Sequence, residues 1–524
     1  MTGSNTKINT IKSFNPATKE LLGELPVFGK GHVTQTVGFA RRAFEDWQLL
    51  DYAARGKKIA KLRKVISDSA DELAELISKE VGKPKVEVYG SELLGVLDTC
   101  TWLCQQTEEM LKDQLISLSN PFLSSKQSVI AFEPLGVIGI ISPWNYPFSI
   151  PMMTILMAVM VGNTVVLKPS EKSSLIGVKI GDLFKKADFP DGVVNVITGD
   201  ATTGKYLSEE RLARLIFTGS VAGGKKVMAQ AADSLISVTL ELGGKDAAIV
   251  LPDAPSQWTA QGIVWGAFTN AGQACASIER VFVLKGKNTD EFLKALEAET
   301  KKIRLGPATD PGTDVGPIID EEQLNKIEEQ VNKAVSDGAT IVVGGKARPD
   351  LGGYFFEPTL ITNVNTRMDI MKNETFGPVL PVMVIESEDE VVDLVNRSKY
   401  GLTASVWGKN LSRCEAIARD LEVGTVYIND CLFSHAQPQL PWGGMKASGF
   451  GRSHSKFGLM DLVNIKHISI DAPGGGPRPW WYPYTRARTA MLRGGLNLMH
   501  GSSIGARFKG FGDFISNFFD SSKK

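Results

Sequence analysis

The chain has 524 residues, 43% hydrophobic and 22% charged, with 58 Lys and Arg balancing 58 Asp and Glu. That length predicts roughly two to four domains around substantial cores. The composition excludes a disordered chain, the lack of any apolar run of about 18 residues excludes a polytopic membrane protein, and the zero net charge excludes a global basic field for nucleic acid.

From Val33 to Leu111 apolar residues recur every three or four positions (Ile59, Leu62, Val65, Ile66, then Leu73, Leu76, Ile77), which predicts helices. Cys100 and Cys104 share one face there and read as core packing. Short strands then alternate with helices: a strand at Val137–Ile141, a helix over Ile150–Val161, a strand at Asn163–Lys168, a helix over Ser173–Lys186, and strands at Val193–Ile197 and Leu215–Thr218. Such βαβ units predict a parallel sheet with ligands at the carboxyl ends of its strands. A second alternating region runs from about Asp246 to Leu462, with strands at Ala247–Leu251, Arg280–Leu284, Thr340–Val343, Val379–Ile385 and Thr425–Asn429. Gly474-Gly475-Gly476-Pro477 marks a boundary. An aromatic knot follows, Trp480-Trp481-Tyr482-Pro483-Tyr484, and then Ile504, Phe508, Phe511, Ile515 and Phe518 form one apolar helical stripe. From Gly474 onward eight Lys and Arg face two Asp, so a basic tail is attached to an acidic body.

Five scattered cysteines make no disulfide framework, and the polar first residues carry no apolar signal core, so a reducing, cytoplasmic setting is expected. Five histidines without C-x-x-C or H-E-x-x-H partners argue against a zinc dehydrogenase, and no metal is expected.

Five segments carry the chemistry. Ser142-Pro143-Trp144-Asn145-Tyr146-Pro147-Phe148 follows a strand, and its rigid backbone presents the Asn145 amide, which can stabilise an oxyanion or simply close a turn. Lys168-Pro169-Ser170-Glu171, also at a strand end, can reach ribose hydroxyls or form a solvated pair. Thr218-Gly219-Ser220-Val221-Ala222-Gly223-Gly224 joins a strand to a helix N-terminus, which suits a pyrophosphate without matching G-x-G-x-x-G. Glu241, in Leu240-Glu241-Leu242-Gly243-Gly244-Lys245, stands 34 residues before Cys275 in Gly272-Gln273-Ala274-Cys275. A cysteine between small residues on a Gly-containing turn is either an accessible nucleophile near a carboxylate or a small core residue. Glu374-Thr375-Phe376-Gly377-Pro378 can hold a sugar hydroxyl or cap a helix.

Together these segments, in this order and spacing, resemble the aldehyde dehydrogenase superfamily over about Ser13 to Asp471. The resemblance implies an α/β fold: a Rossmann-like parallel-sheet NAD-binding domain (residues 1–113 and 135–244), an α/β catalytic thiol domain (245–462), and a β-hairpin oligomerisation arm (114–134 and 463–473), leaving 474–524 as a C-terminal extension. It implies Cys275 as the nucleophile, Asn145 as oxyanion donor with the Cys275 N–H, and Glu241 as base for hydrolysis of the thioester. It implies Ser142, Trp144, Lys168, Glu171, Gly199, Gly219, Ser220, Gly224, Leu242, Glu374 and Phe376 around the cofactor, and Tyr146, Phe148 and Trp442 along an aromatic aldehyde channel.

Glu241 favours the acid-forming class over acyl transfer to coenzyme A. Glu171 would repel a 2′-phosphate, which favours NAD, with NADP use also open. The channel residues favour a medium- to long-chain or otherwise apolar aldehyde; the alternatives are a short polar aldehyde (a semialdehyde or betaine aldehyde) or a scaffold that lost catalysis. The tail resembles the extension of fatty-aldehyde members, and a basic helix with a Phe/Ile face suits a membrane surface or packing on the protein itself. A homodimer or homotetramer is expected from the family.

Overall fold

The computed structural model describes residues 9–120, 123, 125–471, 478 and 480–521. The boundary expected at Gly474–Pro477 lies outside the described residues. The chain divides into two compact units: Met1–Lys112 with Ala131–Lys466, and Asp113–Ile130 with His467–Lys524.

Among the described residues, the larger unit holds the two-stranded pair Thr10–Phe14 with Leu21–Pro26 and two larger sheets. In the first, which we call the cofactor sheet, the spatial order is Gly449–Phe450, Ser237–Leu242, Arg214–Gly219, Val137–Ile141, Thr164–Lys168, Val194–Val196. The four pairings among the last five strands are parallel, and Val137–Ile141 and Thr164–Lys168 are buried at every residue. Burial on both faces is why these strands read as unbroken apolar runs. The chain builds outward from Val137–Ile141 to one side, then returns to place Arg214–Gly219 on the other. That reversal opens a crevice at the carboxyl ends, flanked by the loops after Ile141 and Gly219. The second, or thiol, sheet runs Thr340–Val343, Thr359–Thr362, Val379–Ile385, Ile278–Leu284, Asp246–Val250, Thr403–Trp407, Thr425–Ile428. Its large core packs around Ile249, Phe282, Leu380 and Trp407.

Helix Ser149–Met160 is apolar all round and buried along nearly its whole length. Its N-terminus is fixed by Glu92, whose Oε2 accepts from the Ser149 N–H at 2.7 Å and the Phe148 N–H at 3.2 Å. Glu92 sits in the π-helical turn Val88–Leu94 and pairs with Lys83; both side chains are fully buried. The Lys83 ammonium also lies 3.6 Å from the centre of the Tyr146 ring. This buried pair therefore grips the segment that follows Asn145 in its loop. Phe148 does not line a channel as expected. It is 0% exposed within the core beneath the cofactor sheet, because it opens the buried helix.

In the smaller unit, Gln114–Ile116 pairs antiparallel with Ser128–Ile130, in a three-stranded sheet with Val463–Asp471. Asp471 accepts from Lys126 at 2.9 Å and pairs with Arg478 at 2.7 Å. Two helices follow, Arg486–His500 and Ile504–Ser521; the second carries the expected apolar stripe, and the first was not expected.

Removing Glu92 strands a buried ammonium, so Glu92→Ala is expected to cost about 3–5 kcal/mol. Breaking the exposed Lys285–Glu386 pair, 62% and 73% accessible, by Glu386→Ala should cost less than about 1 kcal/mol. Thermal melts of the two variants side by side test this contrast.

Candidate active site

Cys275 follows an unusual turn. Helix Ser256–Phe268 ends, and Asn270, Ala271 and Gly272 all take left-handed backbone conformations, with φ of 51°, 56° and 69°. Two of the three carry a Cβ, so surrounding bonds must hold the strain. They are dense. The Asn270 N–H donates to Glu87 Oε2 at 2.9 Å, and its side-chain amide donates to the carbonyls of Asn145 and Gln273, both at 3.0 Å. The Gln273 side chain donates to the Asn270 carbonyl at 3.1 Å and accepts from the Ile319 N–H at 2.9 Å. At Gly272 a Cβ would stand 2.2 Å from the Gly377 carbonyl oxygen, so the loop bearing Glu374 closes directly on this turn.

Asn145 meets the same turn from the cofactor side. Its amide donates one N–H to the Gln273 carbonyl at 3.0 Å, and the second N–H is the group available for a reacting oxygen. Glu241 lies on strand Ser237–Leu242, 7% exposed. Its Oε1 accepts from the Ser453 hydroxyl at 3.4 Å, and its Oε2 has no hydrogen-bond partner in the protein. Burial pushes its carboxyl up to about 8, against the pull of Arg452. Glu374 accepts from the Gly244 N–H at 3.1 Å; burial first, and then the charge of Glu279, raise it to about 8. A Cβ on Gly243 would lie 2.2 Å from this carboxylate, so glycine is required for the approach. The Cys275 thiol is pushed well above its ordinary value by burial and by Asp246, Glu374 and Glu241, so at rest it is protonated.

A cleft of about 580 Å³ opens on the cofactor side, lined by Trp144, Gly219, Ser220, Leu242 and Phe376 together with Asn145, Glu241, Cys275 and Glu374. Ser220 caps helix Val221–Ala232 by accepting from the Gly223 N–H at 3.1 Å. Trp144 and Phe376 stand edge to face at 5.5 Å. Phe376 has φ 52° and is held there by Glu279, which accepts its N–H at 2.9 Å and pairs with the fully buried Lys245 at 2.6 Å. Ser142, Lys168, Glu171, Gly199 and Gly224 are not among the residues that line this cleft. Lys168 and Glu171 pair at 3.2 Å beyond strand Thr164–Lys168, and the Ser142 N–H donates to the Lys168 carbonyl. Gly224 allows helix Val221–Ala232 to close on Leu242, where a Cβ would meet a methyl at 2.6 Å, and at Gly199 a Cβ would meet the Thr203 hydroxyl.

A second cavity, about 390 Å³, reaches Cys275 from elsewhere on the surface. Tyr146 and Trp442 line it with Trp265, Phe433, His435 and Glu87. Trp265 and Phe433 are 52% and 46% exposed. His435 is pushed down to about 4 by burial and by Lys83, so it is neutral. Cys275 and Ile150 line both cavities.

Residues 2–468 match the family model described as the aldehyde dehydrogenase family. The chain belongs to the aldehyde dehydrogenase family. It is 35% identical to the 4,4'-diapolycopene aldehyde oxidase of Methylomonas sp. over 94% of this chain and 92% of that protein. It is 37% identical to the betaine aldehyde dehydrogenase of Bacillus subtilis, covering 87% of this chain and 92% of that one. The structure of betaine aldehyde dehydrogenase from Staphylococcus aureus in complex with NAD+ superimposes with a TM-score of 0.85 at 34% identity, covering 91% of this chain and 94% of that chain.

Several residues that shape this aldehyde dehydrogenase's site carry no local signal in the sequence. Asn270 and Gln273 act through backbone carbonyls far along the chain, and Trp265, Phe433 and His435 converge only in three dimensions. Only Asn270-Ala271-Gly272 hints at the turn, since Asn and Gly tolerate left-handed backbone. Because the thiol is held protonated, alkylation of Cys275 by iodoacetamide should rise about tenfold per pH unit with no plateau below about pH 9. Mass spectrometry of the Cys275 peptide, with exposed Cys104 as internal control, checks this.

Proposed function

We propose that this aldehyde dehydrogenase uses NAD to oxidise an aldehyde to its acid, with Cys275 as nucleophile. One observation carries the proposal: Cys275 stands where the cofactor-side cleft and the aromatic channel meet. The aldehyde enters by the channel, and the thiolate attacks its carbonyl carbon. The Asn145 amide and the Cys275 N–H hold the oxygen as it becomes anionic, worth about 3–4 kcal/mol for one such donor. Glu241, with one oxygen unpartnered and its carboxyl at about 8, is poised to take a proton from the thiol and later from the hydrolytic water.

The cleft fits a dinucleotide: it ends at a helix N-terminus with glycines at 219 and 223, and the Glu374 carboxylate and the Trp144–Phe376 pair lie along its wall. NAD, when bound, supplies the hydride acceptor. Lys168 and Glu171 would hold the adenosine ribose, Ser142 and Gly199 would border it, and Glu374 the nicotinamide ribose. NADP use stays open, since the carboxylate that would repel a 2′-phosphate, Glu171, is 43% accessible. The domains follow as NAD-binding (1–113, 135–244), thiol (245–462) and arm (114–134, 463–473), with the arm building a homodimer or homotetramer.

For the substrate, the betaine aldehyde dehydrogenase relatives support a short polar aldehyde over the apolar one first expected. The channel agrees with a cationic end group: Trp265, Phe433 and Trp442 offer ring faces, and Glu87 lies on the wall with its carboxyl raised to about 7 by burial against the pull of Lys83. Besides the thiol, the other ionisable side chains on its walls, Tyr146 and His435, are neutral. An apolar aldehyde is the second reading. The exposed Trp265 and Phe433 favour it, as does the Methylomonas relative named for a polyene aldehyde. That match omits about 6% of this chain, fewer residues than follow Gly474, so it runs into the tail, for which a lipid-surface role is part of the same reading.

Cys275→Ala should abolish NADH formation with every aldehyde. Glu241→Gln should reduce steady-state turnover at least about a hundredfold while leaving thioester hydrolysis as the slow step. In the wild type, turnover limited by hydrolysis should rise about tenfold per pH unit below 7 and level off above about 8, because the base works only when ionised. Comparing kcat/KM for betaine aldehyde, hexadecanal and succinic semialdehyde separates the substrates: betaine aldehyde is expected first, hexadecanal first would install the apolar reading, and a preference for the semialdehyde would overturn both.

A further inference from the structure

The two C-terminal helices pack in an order opposite to that of a water-soluble hairpin. Their contact is made by glycine: a Cβ on Gly494 would stand 2.5 Å from the Phe514 backbone nitrogen, and one on Gly510 would stand 2.5 Å from the Leu498 nitrogen. Gly494, Gly495, Gly510 and Met491 are buried there. Beyond Met491 and the half-buried Leu498 and Phe514, the large apolar side chains point away from the contact. Leu492 and Leu496 on the first helix, and Ile504, Phe508, Phe511, Ile515 and Phe518 on the second, are between 42% and 75% exposed. In water, burying leucine and phenylalanine is the main gain from pairing helices, so this arrangement forfeits it. Where the surroundings are themselves apolar, small residues make the helix contact and large apolar ones face outward.

The charges around the hairpin are mostly positive. Arg486, Arg493, Arg507 and Lys509 are all exposed on it. Arg488 is turned inward instead, donating to the Trp481 and Pro483 carbonyls at 2.6 and 2.9 Å. It thereby fixes the aromatic knot at the start of the first helix, with Trp480, Trp481, Tyr482 and Tyr484 38–79% exposed. Tryptophan and tyrosine beside cations suit the level of lipid headgroups. Among the described residues no helix is long and apolar enough to cross a membrane.

We propose that the hairpin Arg486–Ser521 docks in the surface of an anionic lipid bilayer, with its Leu, Ile and Phe face among the acyl chains and its arginines and lysine at the headgroups. The proposal deepens the lipid-surface reading of the tail and does not depend on which aldehyde is oxidised. The occupant is lipid because the hairpin combines an inside-out helix contact with a cationic rim, and the rim selects anionic headgroups.

The test is co-sedimentation of the full chain with vesicles of phosphatidylglycerol and phosphatidylcholine, against vesicles of phosphatidylcholine alone. Binding to the anionic vesicles is expected to exceed that to the neutral ones by about tenfold or more, and to weaken with salt. The Phe508→Ser/Phe511→Ser variant and the Arg493→Glu/Lys509→Glu variant should each lose about tenfold or more, with NADH formation from propanal and particle mass in solution unchanged. Absence of binding to anionic vesicles, or equal binding by both variants, overturns the proposal. A variant that changes particle mass while the wild type ignores vesicles would show that the face covers a second copy instead. Vesicle binding without aldehyde turnover would leave the docking in place and remove only the proposed reaction.

Discussion

Two crossed hydrogen bonds hold the site together: the Asn145 amide donates to the Gln273 carbonyl, and the Asn270 amide donates to the Asn145 carbonyl. Each asparagine belongs to a different sheet's loop, so the pair locks the end of the cofactor sheet to the turn that delivers Cys275. The bonds are buried, where a missing partner would cost about 1–3 kcal/mol, and this favours their joint formation. They also offset the strain of three successive left-handed residues. Behind them, the Lys83–Glu92 pair fixes the Asn145 loop and the Lys245–Glu279 pair fixes the Glu374–Phe376 turn. Both are buried ion pairs whose carboxylates also cap backbone N–H groups, which is the arrangement that makes such a pair tolerable away from water.

The same burial sets the chemistry. Glu241, Asp246 and Glu374 crowd around Cys275, and desolvation raises all three carboxyls to about 8. Burial first, and then whatever charge those carboxyls carry, holds the thiol protonated. Such a site keeps its nucleophile latent and places a carboxyl raised by burial on the same cavity wall. A bound cofactor carrying positive charge would tilt that balance, because it would stabilise the thiolate and the ionised carboxylates together.

Much of this was legible from the residues in order. The strands Val137–Ile141, Thr164–Lys168 and Val379–Ile385 stand where apolar runs between breakers put them, since strands buried on both faces leave that pattern. Strands Ser237–Leu242, Thr359–Thr362 and Thr403–Trp407 were not anticipated; threonines, a serine and a buried glutamate interrupt their apolar character. The family resemblance implies Phe148 along the aldehyde channel. The helix begins at Ser149 and turns it into the core. The apolar stripe on the last helix was visible from its spacing, whereas helix Arg486–His500 was not, because glycines and arginines break its periodicity.

Sequence by itself determined which residue types occupy the strand ends and the turn: an amide at 145, a carboxylate at 241, a thiol at 275, and glycines at 243 and 272. Such features are local, because a turn, a strand end or a missing Cβ is fixed by a few neighbouring residues. Tertiary structure alone decided that two cavities meet at Cys275, that three carboxyls share one desolvated space, and that the tail's helices join through glycine and leave phenylalanine outside. Those outcomes depend on distances between segments far apart in the chain and on water excluded from between them, which no short stretch of residues encodes.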